Sequence, residues 1–347
     1  MKETRILYVT HLLAGTLRGG TEVQIEQYWR NISITEGYKI DFISPIASHI
    51  DDYDIIHLFN PRANPHESAK FVEKVKERGK RVVITPTFYY NKQDMKYTFR
   101  KGVLRAMDHF GPLSKTNNDA KLARVMELAD VILPNTDDER SLICDFFHID
   151  DRKMKTIRNG VDEAIYNMKG GPTNKRRDTI LFVGRIGPRK HVHTLIEACK
   201  QLGIDDKLIL VGDYYDSKYY NRCREISNKP TYINELKSNS NELVQAYTEC
   251  GIFCLPSEYE TPGLSALEAA ACGSKIVITK NGGTKEYFGD MADYVSPDDV
   301  QGLADSILLS KKRELNDSLS QHILSLCNWK AIAKEVVEEY KKINDFG

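Results

Sequence analysis

The stretch Gly251-Ile-Phe-Cys-Leu-Pro-Ser-Glu-Tyr-Glu-Thr-Pro-Gly-Leu-Ser-Ala-Leu-Glu-Ala-Ala-Ala-Cys-Gly273 changes character twice. Residues 251–257 are an apolar run of the kind that fills a buried parallel strand, ending at Pro256. From Gly263 to Cys272 the chain is rich in Ala and Leu, strong helix formers, and Gly273 stands where a helix end is capped. This helix is apolar on nearly every side, and Glu268 is its only charge. A lone carboxylate on a buried helix is costly unless something pairs with it or hydrogen-bonds to it. Glu260 falls at the carboxyl end of the strand, the edge at which open α/β sheets bind ligands. The free N–H groups of the helix's first turn, Gly263 to Ser265, face the same crevice and favour an anion. The segment therefore offers two carboxylates for hydroxyl groups and a nest of donors for phosphate, which is what a nucleotide diphosphate sugar requires. The plainer alternative makes Glu260 a solvated loop residue and Glu268 half of a structural salt bridge.

Outward from this stretch the pattern repeats. Upstream, Thr179 to Val183 reads as a strand followed by Gly184-Arg-Ile-Gly-Pro-Arg-Lys190, and His191 to Leu202 as a helix with Val192, Leu195, Ile196 and Cys199 on one face. Arg185 and Lys190 lie beyond that strand's carboxyl end. Arg suits a bidentate phosphate contact and Lys acts as a mobile point charge. Both reach a diphosphate held at the Gly263 helix terminus, or else they are surface charge. Lys207 to Val211 is a strand ending in Gly212-Asp213, and Asn281-Gly-Gly-Thr284 is a second glycine-rich turn.

Strands and helices also alternate before residue 165. Ile6 to Thr10 opens the series, and Gly15-Thr-Leu-Arg-Gly-Gly20 is a glycine-rich turn that lets backbone approach a phosphate, with Thr21 as helix N-cap. It is not G-x-G-x-x-G, so the nicotinamide fingerprint is missing. Arg81 to Thr87 reads as a fourth strand and Met154 to Arg158 as a short sixth. Asp52-Tyr-Asp54 matches a metal-binding D-x-D pattern but lies at the amino edge of a strand, away from the crevice. The segment from Ala164 to Asp178 has linker composition. The organisation expected is residues 1–165 as one Rossmann-like domain, 166–178 as linker and 179–329 as a second, with a closing amphipathic helix at 330–347. That helix carries Ile332, Ala333, Val336, Val337 and Tyr340 as its stripe. Two doubly wound α/β domains would then face a cleft.

Composition narrows the function classes. A chain of 347 residues is long for one core. Lys plus Arg and Asp plus Glu each number 49, so no charge excess points to nucleic acid. Seven scattered cysteines without a C-x-x-C pair fit a reducing cytosol with neither disulfide frame nor zinc site. No apolar run approaches the roughly 18 residues that span a bilayer. Between Arg62 and Arg105 there are twelve Lys/Arg against four Asp/Glu, with Phe88, Tyr89, Tyr90, Tyr97 and Phe99 interleaved. This is either a solvated basic face over core aromatics or, through residues 88–105, a peripheral contact with anionic lipid on the inner membrane face.

These residues together resemble family 4 of the retaining glycosyltransferases, of the GT-B fold. The resemblance rests on Glu260-Thr-Pro-Gly-Leu-Ser-Ala-Leu-Glu268, Gly184-Arg-x4-Lys190, Asn159-Gly-Val-Asp162 and Gly19-Gly20, with Ser257 and Trp329 also fitting. It implies a hexosyltransferase whose C-terminal domain binds the nucleotide sugar and whose N-terminal domain binds a saccharide or lipid-linked acceptor, in cell-surface polysaccharide or lipopolysaccharide assembly. It implies that Glu268 holds the ribose, that Glu260 holds a sugar hydroxyl, and that Arg185 and Lys190 neutralise the leaving diphosphate. It implies as well that the last helix returns to the first domain. Arg185, Lys190 and Glu260 are the catalytic candidates. Gly19, Gly20, Gly184, Gly212, Thr261, Pro262, Gly263, Leu264 and Glu268 are the donor-binding ones. No metal or other cofactor is expected, the nucleotide sugar being a co-substrate. Many relatives carry a histidine after the fourth strand, where this chain reads Ile84-Thr-Pro-Thr-Phe88, and His109 is the nearest downstream. The competing readings are a nucleotide-sugar epimerase of the same architecture and a non-catalytic nucleotide-sugar-binding protein.

Overall fold

In the computed structural model, residues 3–11, 14, 19–44, 46–90, 95–110, 117–167, 178–214, 216–314 and 317–345 are described. Residues 15–18 of the first glycine-rich turn and 168–177 of the linker lie outside them. The chain divides into two compact units, Met1–Asn159 with Trp329–Gly347, and Gly160–Asn328.

The first unit runs β1 (Thr4–Val9), α1 (Gly20–Ile32), β2 (Tyr38–Phe42), β3 (Ile55–Phe59), α2 (Pro65–Glu77), β4 (Arg81–Thr85), α3 (Met95–Phe110), α4 (Asn118–Leu128), β5 (Val131–Ile132) and α5 (Asp137–Phe147). Its sheet runs β2-β1-β3-β4-β5, all pairs parallel, with Ile6 opposite both Ile40 and Ile55 and Leu58 opposite Ile84. Every residue of β3 is buried, as expected of a strand covered on both faces. Helix starts follow the side chains. Asn64 accepts the Glu67 N–H at the start of α2, where Pro65 needs no partner, and Thr136 accepts the Glu139 N–H at α5. At α1 the cap is Gly19 rather than Thr21, because Glu22 reaches back to the Gly19 N–H at 2.8 Å. The expected strand at Met154 to Arg158 is absent: Met154 makes one isolated bridge to Ile132, since β5 is only two residues long.

The second unit contains β6 (Ile180–Val183), α6 (Val192–Gln201), β7 (Leu208–Val211), α7 (Ser217–Ile226), β8 (Thr231–Ile233), α8 (Asn241–Glu249), β9 (Ile252–Leu255), α9 (Leu264–Ala271), β10 (Lys275–Thr279), α10 (Thr284–Phe288), β11 (Asp293–Val295), α11 (Val300–Lys312) and α12 (Ser318–Leu326). Its six parallel strands are ordered β11-β10-β9-β6-β7-β8. The unit begins at Gly160, earlier than the linker composition suggests. Val161 donates its N–H to Cys327 O at 2.7 Å, and Tyr166 packs edge-on against Tyr247 at 5.9 Å.

The last helix, α13 (Trp329–Asp345), belongs to the first unit. All five residues of its expected stripe are buried, and filling a Val336-sized site is worth roughly 1.5–3 kcal/mol. The Trp329 ring stands edge-on to Tyr28 at 6.0 Å. The Tyr340 hydroxyl lies 2.6 Å from His57 Nδ1 and 3.1 Å from the Tyr8 hydroxyl, and Thr85 meets His57 Nε2 at 2.9 Å. Burial pushes His57 well below the ordinary histidine range, so it is held neutral.

Candidate active site

In the second sheet, β6 leads to β7 and β8 on one side, and β9 starts a second series on the other. The order reverses between β6 and β9, so their carboxyl ends part and leave the crevice typical of a doubly wound sheet. Residues beyond those two ends are therefore placed to line it.

Beyond β6 the chain must turn in very little space. Gly184 donates to Val211 O at 2.9 Å, Gly212 to Ile233 O at 3.0 Å, and Ile186 to Asp213 O at 2.9 Å. A Cβ on Gly212, at φ +148°, would sit 2.0 Å from the Gly184 carbonyl oxygen. The two glycines thus let the β6 and β7 loops lie against each other. Arg185 projects from this turn as an exposed side chain.

The next residues are clamped to the loop after β9. Arg189 accepts the Glu258 N–H on its carbonyl at 2.8 Å and donates its guanidinium to Tyr259 O at 3.2 Å. Lys190 Nζ forms an ion pair with Glu260 Oε1, and both side chains are largely buried. Burial opposes charge on Glu260, but Lys190 and then Arg189 outweigh it and hold the carboxyl below its usual range. Burial lowers Lys190 too, and Glu260 counters this, so the pair is ionic. One of the three Lys190 N–H donors is engaged by Glu260.

Glu260 is also gripped through its backbone. Its N–H donates to Asn281 O and its carbonyl accepts the Gly283 N–H, each at 3.2 Å. A Cβ on Gly282, at φ +93°, would lie 2.2 Å from the Glu260 carbonyl oxygen. The second glycine-rich turn therefore serves to hold Glu260, a role its sequence alone did not reveal.

Thr261, Pro262 and Gly263 lead from Glu260 into α9, with Gly263 at the N-cap in left-handed conformation. The Ala266 and Leu267 N–H groups bond back to Gly263 O. Those of Leu264 and Ser265 fall outside the helix's own ladder, as first-turn donors do. Glu268, one turn on, receives the Tyr247 hydroxyl at 2.8 Å, and Tyr166 lies beside it. Its side chain keeps some surface. Even so, burial pushes its carboxyl up to about 7, against the opposing effect of Tyr247. Arg189, Tyr247, Tyr166 and the Asn281 turn are the participants that motif reading missed. Only a tyrosine at the apolar face of α8 hinted at one of them.

The remaining candidates lie in the first unit. Gly19 and Gly20 start α1, and the Gly19 N–H that a phosphate would need is already taken by Glu22. Asp54 of the D-x-D match accepts the Arg5 backbone N–H at 2.9 Å, a structural contact. His109 lies in α3. Several cations of the basic stretch have carboxylate partners: Arg100 pairs with Asp119 at 2.6 Å, Lys76 with Asp130 at 2.7 Å and Lys101 with Asp145, while Arg78 meets Asp51 at 2.6 Å on the surface. Arg62 stacks 4.0 Å over the Tyr89 ring. Phe88, Tyr90 and Tyr97 pack on Phe146. Among the described residues no helix is long and apolar enough to cross a membrane.

Residues 166–323 match the family described as glycosyl transferases group 1. The 2-deoxystreptamine N-acetyl-D-glucosaminyltransferase of Niallia circulans is 31% identical over 42% of this chain and 39% of its own. The chain spans about half the length of the curated relatives it matches. Sucrose-phosphate synthase from Thermosynechococcus elongatus superposes over 100% of both chains with a TM-score of 0.76 and 17% identity. Anabaena Alr3699/HepE in complex with UDP-glucose covers 99% of both chains with a TM-score of 0.66 and 16% identity. These structural likenesses establish the fold, the GT-B architecture of two doubly wound units.

Proposed function

We propose, from the match of residues 166–323 to the glycosyl transferases group 1 family, that this chain moves a sugar from a nucleotide diphosphate donor, bound at the edge of the second sheet, to a saccharide or lipid-linked acceptor bound by the first unit. The observation that carries this reading is the Lys190–Glu260 ion pair beside the start of α9, at the β6/β9 reversal. Cation, carboxylate and free helix N–H groups occur there together, matching the diphosphate, the hydroxyls and the charge that develops on departure. A similar protein, Alr3699/HepE, was solved with UDP-glucose, which makes UDP sugars the first donors to try. The Niallia relative, named for a 2-deoxystreptamine acceptor, supports a polyol ring as acceptor.

In this mechanism Glu268 accepts hydrogen bonds from the ribose and Glu260 from a sugar hydroxyl. Lys190, Arg185 and the α9 terminus stabilise the departing diphosphate, work that pre-organised charges do without rearranging. The bond from the anomeric carbon to phosphate breaks as the acceptor oxygen attacks from the same face. The acceptor's proton passes to the departing phosphate oxygen, so configuration is retained and no protein base is needed. Two cations and a helix terminus make the step independent of a metal.

Thermal melting against a panel of nucleotides and nucleotide sugars, with magnesium or with EDTA, tests this directly. Ligand at a hundredfold excess over Kd stabilises the fold by about 2.7 kcal/mol. A shift with one nucleotide class, equal in EDTA, is the expected result. Well-folded protein that no nucleotide stabilises would overturn the donor site.

A further inference from the structure

The first sheet reverses between β1 and β3, and a cavity of about 140 Å³ opens beyond those two strand ends. That is close to the volume of an engineered cavity, roughly 150 Å³, that accepts benzene, so there is space for one six-membered ring. Leu58, Phe59 and Phe71 supply apolar wall. Thr10, His11 and Asn60 supply polar groups. The Thr10 hydroxyl and His11 Nδ1 are both shielded from solvent and have no hydrogen-bond partner among the described residues. A buried polar atom left in this state is costly, and a ligand hydroxyl would satisfy it. The His11 ring is oriented from behind, its Nε2 3.3 Å from Glu22, whose other oxygen takes the Gly19 N–H. Asn60 adopts a left-handed backbone at φ 49° at the end of β3.

Charge is the decisive feature. No Lys or Arg lines this cavity among the described residues, and Glu67 stands at it. The α2 terminus nearby, which would otherwise attract an anion, already carries Glu67 in its first turn, hydrogen-bonded to Asn64 at 2.6 Å. A phosphate here would meet the Glu67 carboxylate and no cation among the described lining residues. A hydroxyl or an ammonium would find acceptors.

We propose that this pocket receives the acceptor's ring, and that the ring is a neutral or amine-bearing pyranose or cyclitol rather than a phosphorylated one. This rests on the glycosyltransferase reading above and adds the charge class of its acceptor. The C–H faces of the ring lie on Leu58, Phe59 and Phe71, and its hydroxyls meet Thr10, His11 and Asn60.

The experiment uses the full chain with the nucleotide sugar that stabilises it. Release of the nucleotide is followed with glucose, glucosamine, myo-inositol and glucose 6-phosphate as matched acceptor probes. Glucose, glucosamine or myo-inositol should accelerate release at least fivefold over hydrolysis, and glucose 6-phosphate should not. Asn60→Gly, which tolerates the left-handed backbone, should raise the acceptor KM about tenfold while nucleotide-induced melting shifts stay as in the parent. Glu67→Lys, at an exposed position, should shift preference towards glucose 6-phosphate at least fivefold. Preference of the parent chain for glucose 6-phosphate, or no acceleration by any neutral or amino probe, overturns the acceptor proposal while the nucleotide shift still stands. Loss of the nucleotide shift itself is failure of the donor reading instead.

Discussion

In the first unit the crevice beyond β1 and β3 is walled by Leu58, Phe59 and Phe71 and has no Lys or Arg among its described lining. In the second, the crevice beyond β6 and β9 carries Arg185 and the buried Lys190–Glu260 pair. Both crevices arise in the same way, from a reversal of strand order in a parallel sheet. Topology therefore opens the two sites, and the loop residues choose their charge. The buried ionisable groups differ in the same sense. His57, under α13 in the first unit, is held neutral by burial alone. Glu260 is held ionised by a partner.

The largest effect should come from Gly212→Ala, which breaks the second crevice only. Its Cβ would need the place of the Gly184 carbonyl, a backbone atom that cannot turn aside. A loss of about 3 kcal/mol or more in urea unfolding is expected. A melt like that of the parent would mean that the β6 and β7 loops need not touch. Next, Lys190→Ala removes the charge that the proposed mechanism sets against the departing diphosphate. Turnover should fall on the order of 100-fold, with donor affinity changing far less. Normal kinetics would remove Lys190 from the chemistry and leave it as a structural partner of Glu260.

Tyr340→Phe probes the other side of the comparison. It leaves His57 Nδ1 buried without its partner and should destabilise by about 1–3 kcal/mol, with nucleotide-induced stabilisation unchanged. Loss of nucleotide binding would show that α13 serves the second unit too. The smallest effect belongs to Glu268→Gln, expected to weaken nucleotide binding roughly tenfold, about 1.4 kcal/mol, in calorimetry.

The two units should also answer pH in opposite directions. His57 lies well below its ordinary 6.5, so below that value the unfolded chain binds more protons, and stability falls as pH falls. Glu268 is raised from 4.5 to about 7, so between those values the folded chain binds more protons, and stability falls as pH rises. In denaturant melts the two contributions should cancel between pH 5 and 6.5, leaving a fall from pH 6.5 to about 7, and Glu268→Gln should remove that fall and expose the His57 slope below 6.5. The ionised carboxylate is the better acceptor for ribose hydroxyls, so nucleotide affinity should rise through pH 7 in the parent but not in that variant. A variant that keeps the rise would assign it to another group.

Much of the site could be read in advance because its signals are local. The apolar run at 252–255 and the Ala-rich helix after it each state their own structure within ten residues, so Glu260 and Gly263 could be placed at a strand end and a helix start. Short elements escaped for the converse reason. The five-residue α10 and three-residue β11 hold too few residues to show a period, and they exist because Tyr287, Phe288 and Val295 are packed into the second core. Thr21 has the chemistry of a cap, yet Glu22 bonds the Gly19 N–H and moves the helix start back. Met154 to Arg158 has the pattern of a strand, yet a two-residue β5 leaves it too little edge to pair with.

By itself the sequence determined the alternation of strands and helices, the amphipathic stripe of the last helix, and the residue types at both sheet edges. Hydrophobic period and helix capping act over a few residues, so they survive in a linear reading. Only the tertiary structure decided how those residues are paired. Lys190 meets Glu260 across 70 positions, Tyr247 meets Glu268 across 21, and Tyr340 meets His57 across 283. The charge state of each buried group follows from such partners and from burial, and neither quantity exists until the chain has folded.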